Sequence, residues 1–182
     1  EEREGFPKGR RMPAEWKVLD LPGQSAVPVT ERGGVQMTQE AERFLIQAKS
    51  AVYAGAAGEA DSSPLRSHSR LYADGKFRYT DSCLGTEQFA GQEVLLEGES
   101  PVWAANYLGR ILERDFPINF LREALLAGCC SFPYGGREQY EKGDWIYHCT
   151  ARGEPDWFYG YEEILYRNRR IYECAFHGGE IR

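Results

Sequence analysis

Twice along this chain the apolar residues recur at helical spacing, and each time the segments that follow alternate apolar with polar residues instead. That double switch of period restricts the chain to folds in which helices cover a sheet. The first helical stretch begins at Thr38, a good N-cap, with Glu40 and Glu42 placing negative charge at the positive helix end. Ala41, Phe44, Leu45, Ala48 and Val52 then form one apolar face, and Gly55 and Gly58 stop it. The second spans about 117–127, with Asp115 as cap, Pro117 in the first turn and Gly128 at the end. Residues 55–69 are small and polar and read as a loop.

Alternation marks strands at Phe77–Cys83, Gln92–Glu97, Pro101–Ile111, Asp144–Ala151, Asp156–Arg167 and Arg170–His177. The third is apolar on both faces, which places it centrally in the sheet. The last two read as a hairpin around Asn168–Arg169. In that register Gly160 opposes His177, and Glu162 lies diagonally from the imidazole. The expectation is therefore an α+β domain over residues 38–182. A curved, mostly antiparallel sheet of about six strands packs on two helices in the order αβββαβββ, and cystatin-like or NTF2-like rolls are the analogues. Residues 1–37 hold Gly5, Pro7, Gly9, Pro13, Pro22, Gly23, Pro28, Gly33 and Gly34, and are expected to form an extended arm.

Composition excludes several function classes. A 42% apolar and 13% aromatic content over 182 residues supports a packed core, and only Phe6 and Trp16 of the aromatics precede residue 40. The net charge of −6 and pI near 5.2 argue against nonspecific nucleic-acid binding, which needs clustered cations. The run Lys8–Arg11 is too short to change that. No apolar stretch approaches the ~18 residues of a membrane helix, and the opening Glu-Glu-Arg-Glu is not a secretory signal. Five cysteines (Cys83, Cys129, Cys130, Cys149, Cys174) form no CxxC pair and no even set. Reduced thiols and a cytoplasmic location fit that count. The vicinal Cys129–Cys130 pair reads as two small buried residues.

No nucleotide-binding glycine pattern, zinc-protease motif, nucleophile elbow or EF-hand loop occurs. His177, in Phe-His-Gly-Gly, is the most distinctive single residue. With Glu162 it forms a candidate acid–base pair, or else a structural bond pinning the end of the strand. His68 and His148 complete the histidines, and no pair has metal-ligand spacing, so no metal and no cofactor is expected. A second group of polar residues sits in aromatic surroundings: Asp81, Glu93, Asn106, Tyr107, Tyr134, Arg137 and again His177. Asn106 lies inside the most apolar strand and needs a partner, a water or a ligand. Aromatic walls with a few convergent polar groups describe a small-molecule pocket.

The same segments resemble a known family. Tyr79-Thr80-Asp81, Phe89-Ala90-Gly91-Gln92-Glu93, Pro101-Val102-Trp103, Asn106-Tyr107-Leu108-Gly109, Gly143-Asp144, Trp157 through Ile164, Tyr172-Glu173-Cys174 and Phe176-His177-Gly178-Gly179 look like the DUF5680 family, in that order, over about 40–181. The family is a domain of unknown function, so the resemblance implies a fold unit and no activity. Bacterial relatives carry it after a helix-turn-helix module, which implies effector sensing in those proteins. Residues 1–37 are too rich in glycine and proline to be such a module. The favoured reading is a noncatalytic domain that binds or senses a small ligand. The alternatives are a hydrolase or isomerase using His177 and Glu162, and a protein–protein interaction module.

Overall fold

The computed structural model describes residues 37–59, 67–129 and 136–181. The chain divides into two units, 1–34 and 35–182. The expected arm lies, but for Met37, outside the described residues. The elements are helix α1 (Gln39–Tyr53), strands β1 (Gly58–Glu59), β2 (Ser67–Asp74), β3 (Phe77–Gly85), β4 (Gln88–Glu97) and β5 (Ser100–Ile111), helix α2 (Ile118–Cys129), and strands β6 (Gln139–Lys142), β7 (Trp145–Glu154), β8 (Trp157–Tyr166) and β9 (Arg169–Glu180). No described helix is long and apolar enough to cross a membrane.

All nine described strands join one antiparallel sheet in the order β1-β2-β3-β4-β5-β9-β8-β7-β6. The first five strands meander outward-in to the centre. Helix α2 then carries the chain to the far edge, and a second meander returns until β9 pairs with β5. This overturns the expected six-stranded α+β roll and its order αβββαβββ: the protein is mostly sheet, with three further strands. The added strands are β1, β2 and β6, and all three sit at or next to an edge. Their sequences, such as Ser67-His68-Ser69-Arg70 and Gln139-Tyr140-Glu141-Lys142, are polar. Edges are kept polar to resist further pairing, and that removes the apolar alternation by which a strand is recognised. The loop expected at 55–69 is strand at both ends.

Helix α1 starts as its sequence requires. The Thr38 hydroxyl accepts the Ala41 N–H at 3.1 Å, and Gly55 leaves the helix at φ +74°. Helix α1 packs at the β2–β3 side, α2 at the β6–β7 side, and the two helices touch. Both therefore cover the same face of the sheet. Under α1 lies a core of Phe44, Leu45, Phe77, Tyr79, Leu95, Trp103 and Phe158. Under α2 lies another, of Phe120, Leu121, Tyr147, Ile164, Ile171 and Tyr172. Phe176 packs against both.

The covered face is floored by rings laid on glycines. Tyr107 stands opposite Gly91, Phe89 opposite Gly109, Phe176 opposite Gly160 and Phe158 opposite Gly178. A Cβ on any of these glycines would fall 2.1–2.6 Å from an atom of the opposing ring. Each missing side chain is the space its ring occupies.

The β8–β9 hairpin turns at Arg167–Asn168, one residue earlier than expected. Both residues are left-handed, at φ 47° and 64°, which a two-residue hairpin turn demands. A bulge at Ile164/Leu165 then lets Ile171 and Tyr172 both be buried. Tyr159, not Gly160, opposes His177. The earlier turn alone shifts the pairing by two residues and keeps the faces, whereas the bulge shifts it by one and so reverses the partnership of every side chain beyond it.

The floor of rings yields a test. Gly91→Ala should cost about 1–3 kcal/mol in urea unfolding, because its methyl group forces Tyr107 off the sheet, whereas Gly98→Ala, with open space around it, should cost only its left-handed strain.

Candidate functional site

Between the two cores a half-open cavity of about 160 Å³ lies under the helices. Helix α1 contributes Lys49 and Tyr53, α2 contributes Leu125, and the sheet contributes Asp81, Phe89, Glu93, Ala105, Tyr107, Phe158, Glu162, Tyr172, Cys174 and Phe176. Its walls are mainly aromatic and its polar groups are few and buried.

Lys49 lies on the apolar stripe of α1, beside Ala48 and Val52, so the fold carries it inward. It is 4% exposed, and Glu93 is 7% exposed. The ammonium donates to Glu93 Oε2, forming a buried ion pair. It also lies 5.8 Å from the ring centres of Tyr53 and Trp103, in cation–π range. A desolvated ion survives only when paired, and here ring faces add to the pairing.

Asp81 is the direct cross-strand neighbour of Glu93. The Tyr107 hydroxyl donates to Asp81 Oδ1 at 2.7 Å. Burial, reinforced by the charge of Glu93, pushes the Asp81 carboxyl up to about 6, against the opposing pull of Tyr107, Lys49 and Arg70. Glu162 forms the third acidic group. It accepts hydrogen bonds from Tyr147 at 2.5 Å and Tyr172 at 2.7 Å, while the Gly136 N–H donates to the Tyr147 hydroxyl at 2.9 Å. Burial raises the Glu162 carboxyl above its ordinary range, and the two hydroxyls only partly counter it. Burial also pushes the Cys149 thiol up to about 11 and that of Cys174 higher still, so neither is a ready nucleophile.

Among the residues singled out in the sequence, Asp81, Glu93, Tyr107 and Glu162 come together on the covered face. Asn106 borders the cavity by its strand position, yet its side-chain carbonyl accepts from Gln92 at 3.1 Å among exposed groups. His177 opposes Asn106 and Tyr159 on the outer face and is exposed. It stands one strand position out of phase with Glu162, so the two groups face opposite sides of the sheet. The expected His177–Glu162 contact rested on the slipped hairpin register and does not form. The histidine that does meet a carboxylate is His148, 3.7 Å from Glu163 and also on the outer face. Arg137 is exposed beside a separate wide cleft with Gly136, His148 and Glu163. Tyr134 lies outside the described residues, as do Cys130 and the side chain of Cys129. Among the described residues no three His, Cys, Asp or Glu side chains form a group able to hold a metal ion.

Sequence reasoning passed over Lys49, Phe89, Tyr147 and Tyr172. Lys49 did leave a signal: it is the one charge on an otherwise apolar helical stripe. Glu93 carries the matching one, between Phe89, Gly91 and Leu95 on the inward phase of β4.

The fold and site define a class: an antiparallel sheet with a helix-covered face and a small aromatic pocket containing buried ionisable groups. Residues 81–181, more than half the chain, match the family described as "Domain of unknown function (DUF5680)". The chain belongs to that family. The match begins at Asp81 within β3, later than the residue 40 suggested by the resemblance, so Lys49 and all of α1 precede the matched region. No curated protein and no solved structure matches the chain.

Two outcomes follow from these charges. Lys49→Met should destabilise the fold by about 3–5 kcal/mol in urea unfolding by stranding Glu93, and Lys49→Met combined with Glu93→Met should recover most of it. Asp81 has a folded-state pKa above its unfolded value, so the folded form holds the extra proton and stability falls as pH rises from about 4 through 6. Asp81→Asn should flatten that part of the stability–pH curve and raise stability at pH 7 by at most about 3 kcal/mol.

Proposed function

We propose that this domain is a noncatalytic binding module that takes a small molecule into the cavity beneath α1 and α2. The observation that carries the reading is the placement of Lys49, Asp81, Glu93 and Glu162 around one aromatic-walled space at the seam of two cores. Stability alone argues against such an arrangement, since buried ions and raised carboxyl pKa values weaken the folded state. Proteins tolerate such costs most often where the groups meet a ligand. Catalysis finds less support: the described lining of the cavity contains no histidine, burial holds its one thiol, Cys174, protonated, and His177 faces away.

A thermal-shift screen of the full chain against polar metabolites tests the reading. A ligand at about 100 times its dissociation constant stabilises the native state by roughly 2.7 kcal/mol, or some 5–10 °C for a domain of this size. Ala105→Leu, which adds bulk at the cavity floor, should abolish the shift, while His177→Ala on the outer face should keep it. Shifts lost in the His177 variant and kept in the Ala105 variant would refute the placement.

A second reading, an interaction module, is favoured by the outer face. Leu108, Trp157, Tyr159 and Tyr161 are 66%, 77%, 57% and 37% exposed on β5 and β8. Sedimentation of the protein against a Leu108→Glu, Trp157→Glu variant tests self-association through that surface. Identical monomer profiles over a wide concentration range would remove it.

A further inference from the structure

Resting on the binding role proposed above, we propose that the inner pocket takes a small organic cation: the ammonium head of a primary or methylated amine on an apolar body about the size of a benzene ring. The first support is the balance of acidic and basic groups. Three carboxyl groups, Asp81, Glu93 and Glu162, line the cavity against one ammonium, Lys49, which is already bound to Glu93. An incoming anion would meet this excess of acid, whereas a cation would complete it.

The second support is the hydrogen-bonding capacity left unused. Asp81 Oδ1 accepts from Tyr107, and among the described residues no donor reaches Oδ2. Arg70, its register partner on β2, forms no ion pair with it. Beyond its bond to Lys49, Glu93 has among the described residues only the Tyr79 hydroxyl near it, and that hydroxyl makes no hydrogen bond at ordinary distance. Native proteins rarely leave such groups unmatched. An ammonium brings the several N–H donors that these oxygens lack.

The walls and size agree with the charge. Tyr53, Phe89, Tyr107, Phe158 and Phe176 line the cavity, and aromatic rings attract organic cations once water is excluded. A space of about 160 Å³ is close to the roughly 150 Å³ of an engineered protein cavity that admits benzene. A divalent metal fits less well, since Asp81 and Glu93 are adjacent but Lys49 holds one of them. The chain's net charge of −6 also favours the approach of a cation.

Calorimetric titration of the full chain with benzylamine, benzyl alcohol and benzoate separates the possibilities, because the three share a shape and differ in charge. Benzylamine should bind at least tenfold tighter than benzyl alcohol, and benzoate should not bind. In Asp81→Asn, checked for folding by circular dichroism, that preference should vanish. In the unaltered protein benzylamine should bind about tenfold more weakly at pH 5 than at pH 7. Asp81 must ionise to receive it, and its carboxyl titrates near 6 amid Glu93, Lys49, Arg70, Tyr79, Tyr107 and Cys83. Equal or tighter binding of the alcohol or the acid would overturn the cation assignment while leaving the pocket as a binding site. Benzylamine affinity unchanged by pH and by Asp81→Asn would overturn it too. Failure of all three probes would sink both the assignment and the binding role.

Discussion

Four aromatic rings resting on four glycines fix the inner surface of this sheet. Side chains on neighbouring strands normally stand side by side and keep a sheet's face uneven. Where glycine replaces one of each pair, the opposing ring can lie down across the strand. Tyr107 over Gly91 and Phe176 over Gly160 make the floor of the pocket. Phe89 over Gly109 and Phe158 over Gly178 reach toward the two cores. The ring of Phe158 in turn stacks on Trp103 at 5.8 Å and 11°, and that of Phe89 on Tyr172 at 6.1 Å and 17°. Without these pairings the helices would meet upright side chains, and the space between the cores would close.

The charges on that floor are held by unequal means. Lys49 and Glu93 hold each other, whereas Asp81 and Glu162 rely on tyrosine hydroxyls. A hydroxyl donor stabilises a carboxylate less than an ammonium does, and burial prevails at both. The pocket thus contains one settled ion pair and two carboxyl groups whose hold on the proton burial strengthens. Such groups respond to whatever enters beside them. Across the sheet, the outer face behaves in the ordinary way: Arg110, Glu173, Arg170 and Glu163 form an exposed chain of ion pairs that salt screens.

Much of this was legible in the residues and some was not, for identifiable reasons. Thr38, the acidic first turn and the stripe through Val52 specify α1 locally. The doubly apolar run of 101–111 specifies the centre of the sheet, and β5 does lie fifth of nine. Strands β2 and β6, next to one edge and at the other, are polar and so carry little alternation to read. The hairpin departs from expectation by one residue at its turn and by the bulge at Ile164/Leu165. Asn168–Arg169 looked like the turn because asparagine tolerates left-handed backbone, but the chain places both Arg167 and Asn168 there. The earlier turn alone shifts the pairing by two and keeps the faces; the bulge at Ile164/Leu165 exchanged those of Glu162 and His177, uniting a carboxyl group with tyrosines and leaving an imidazole in solvent. Asp81, Glu93 and Tyr107 were found because polar groups amid aromatic alternation are conspicuous. Lys49 was visible in the same way, as a charge out of place on a stripe.

The closure of the sheet by β9 has a consequence for how the molecule is made. Within the sheet the two meanders join through the β5–β9 ladder, which pairs Trp103 with Glu180 and Ile111 with Tyr172 across about half of the domain's sequence. As the polypeptide leaves the ribosome, each half can assemble by local hairpins, yet β5 must wait with an unsatisfied apolar edge until the ninth strand arrives. Contacts so distant in sequence form slowly. During that interval the exposed flank of β5 is the surface most open to adhesion between nascent chains, and the arrival of β9 ends the exposure and completes the chamber in the same step.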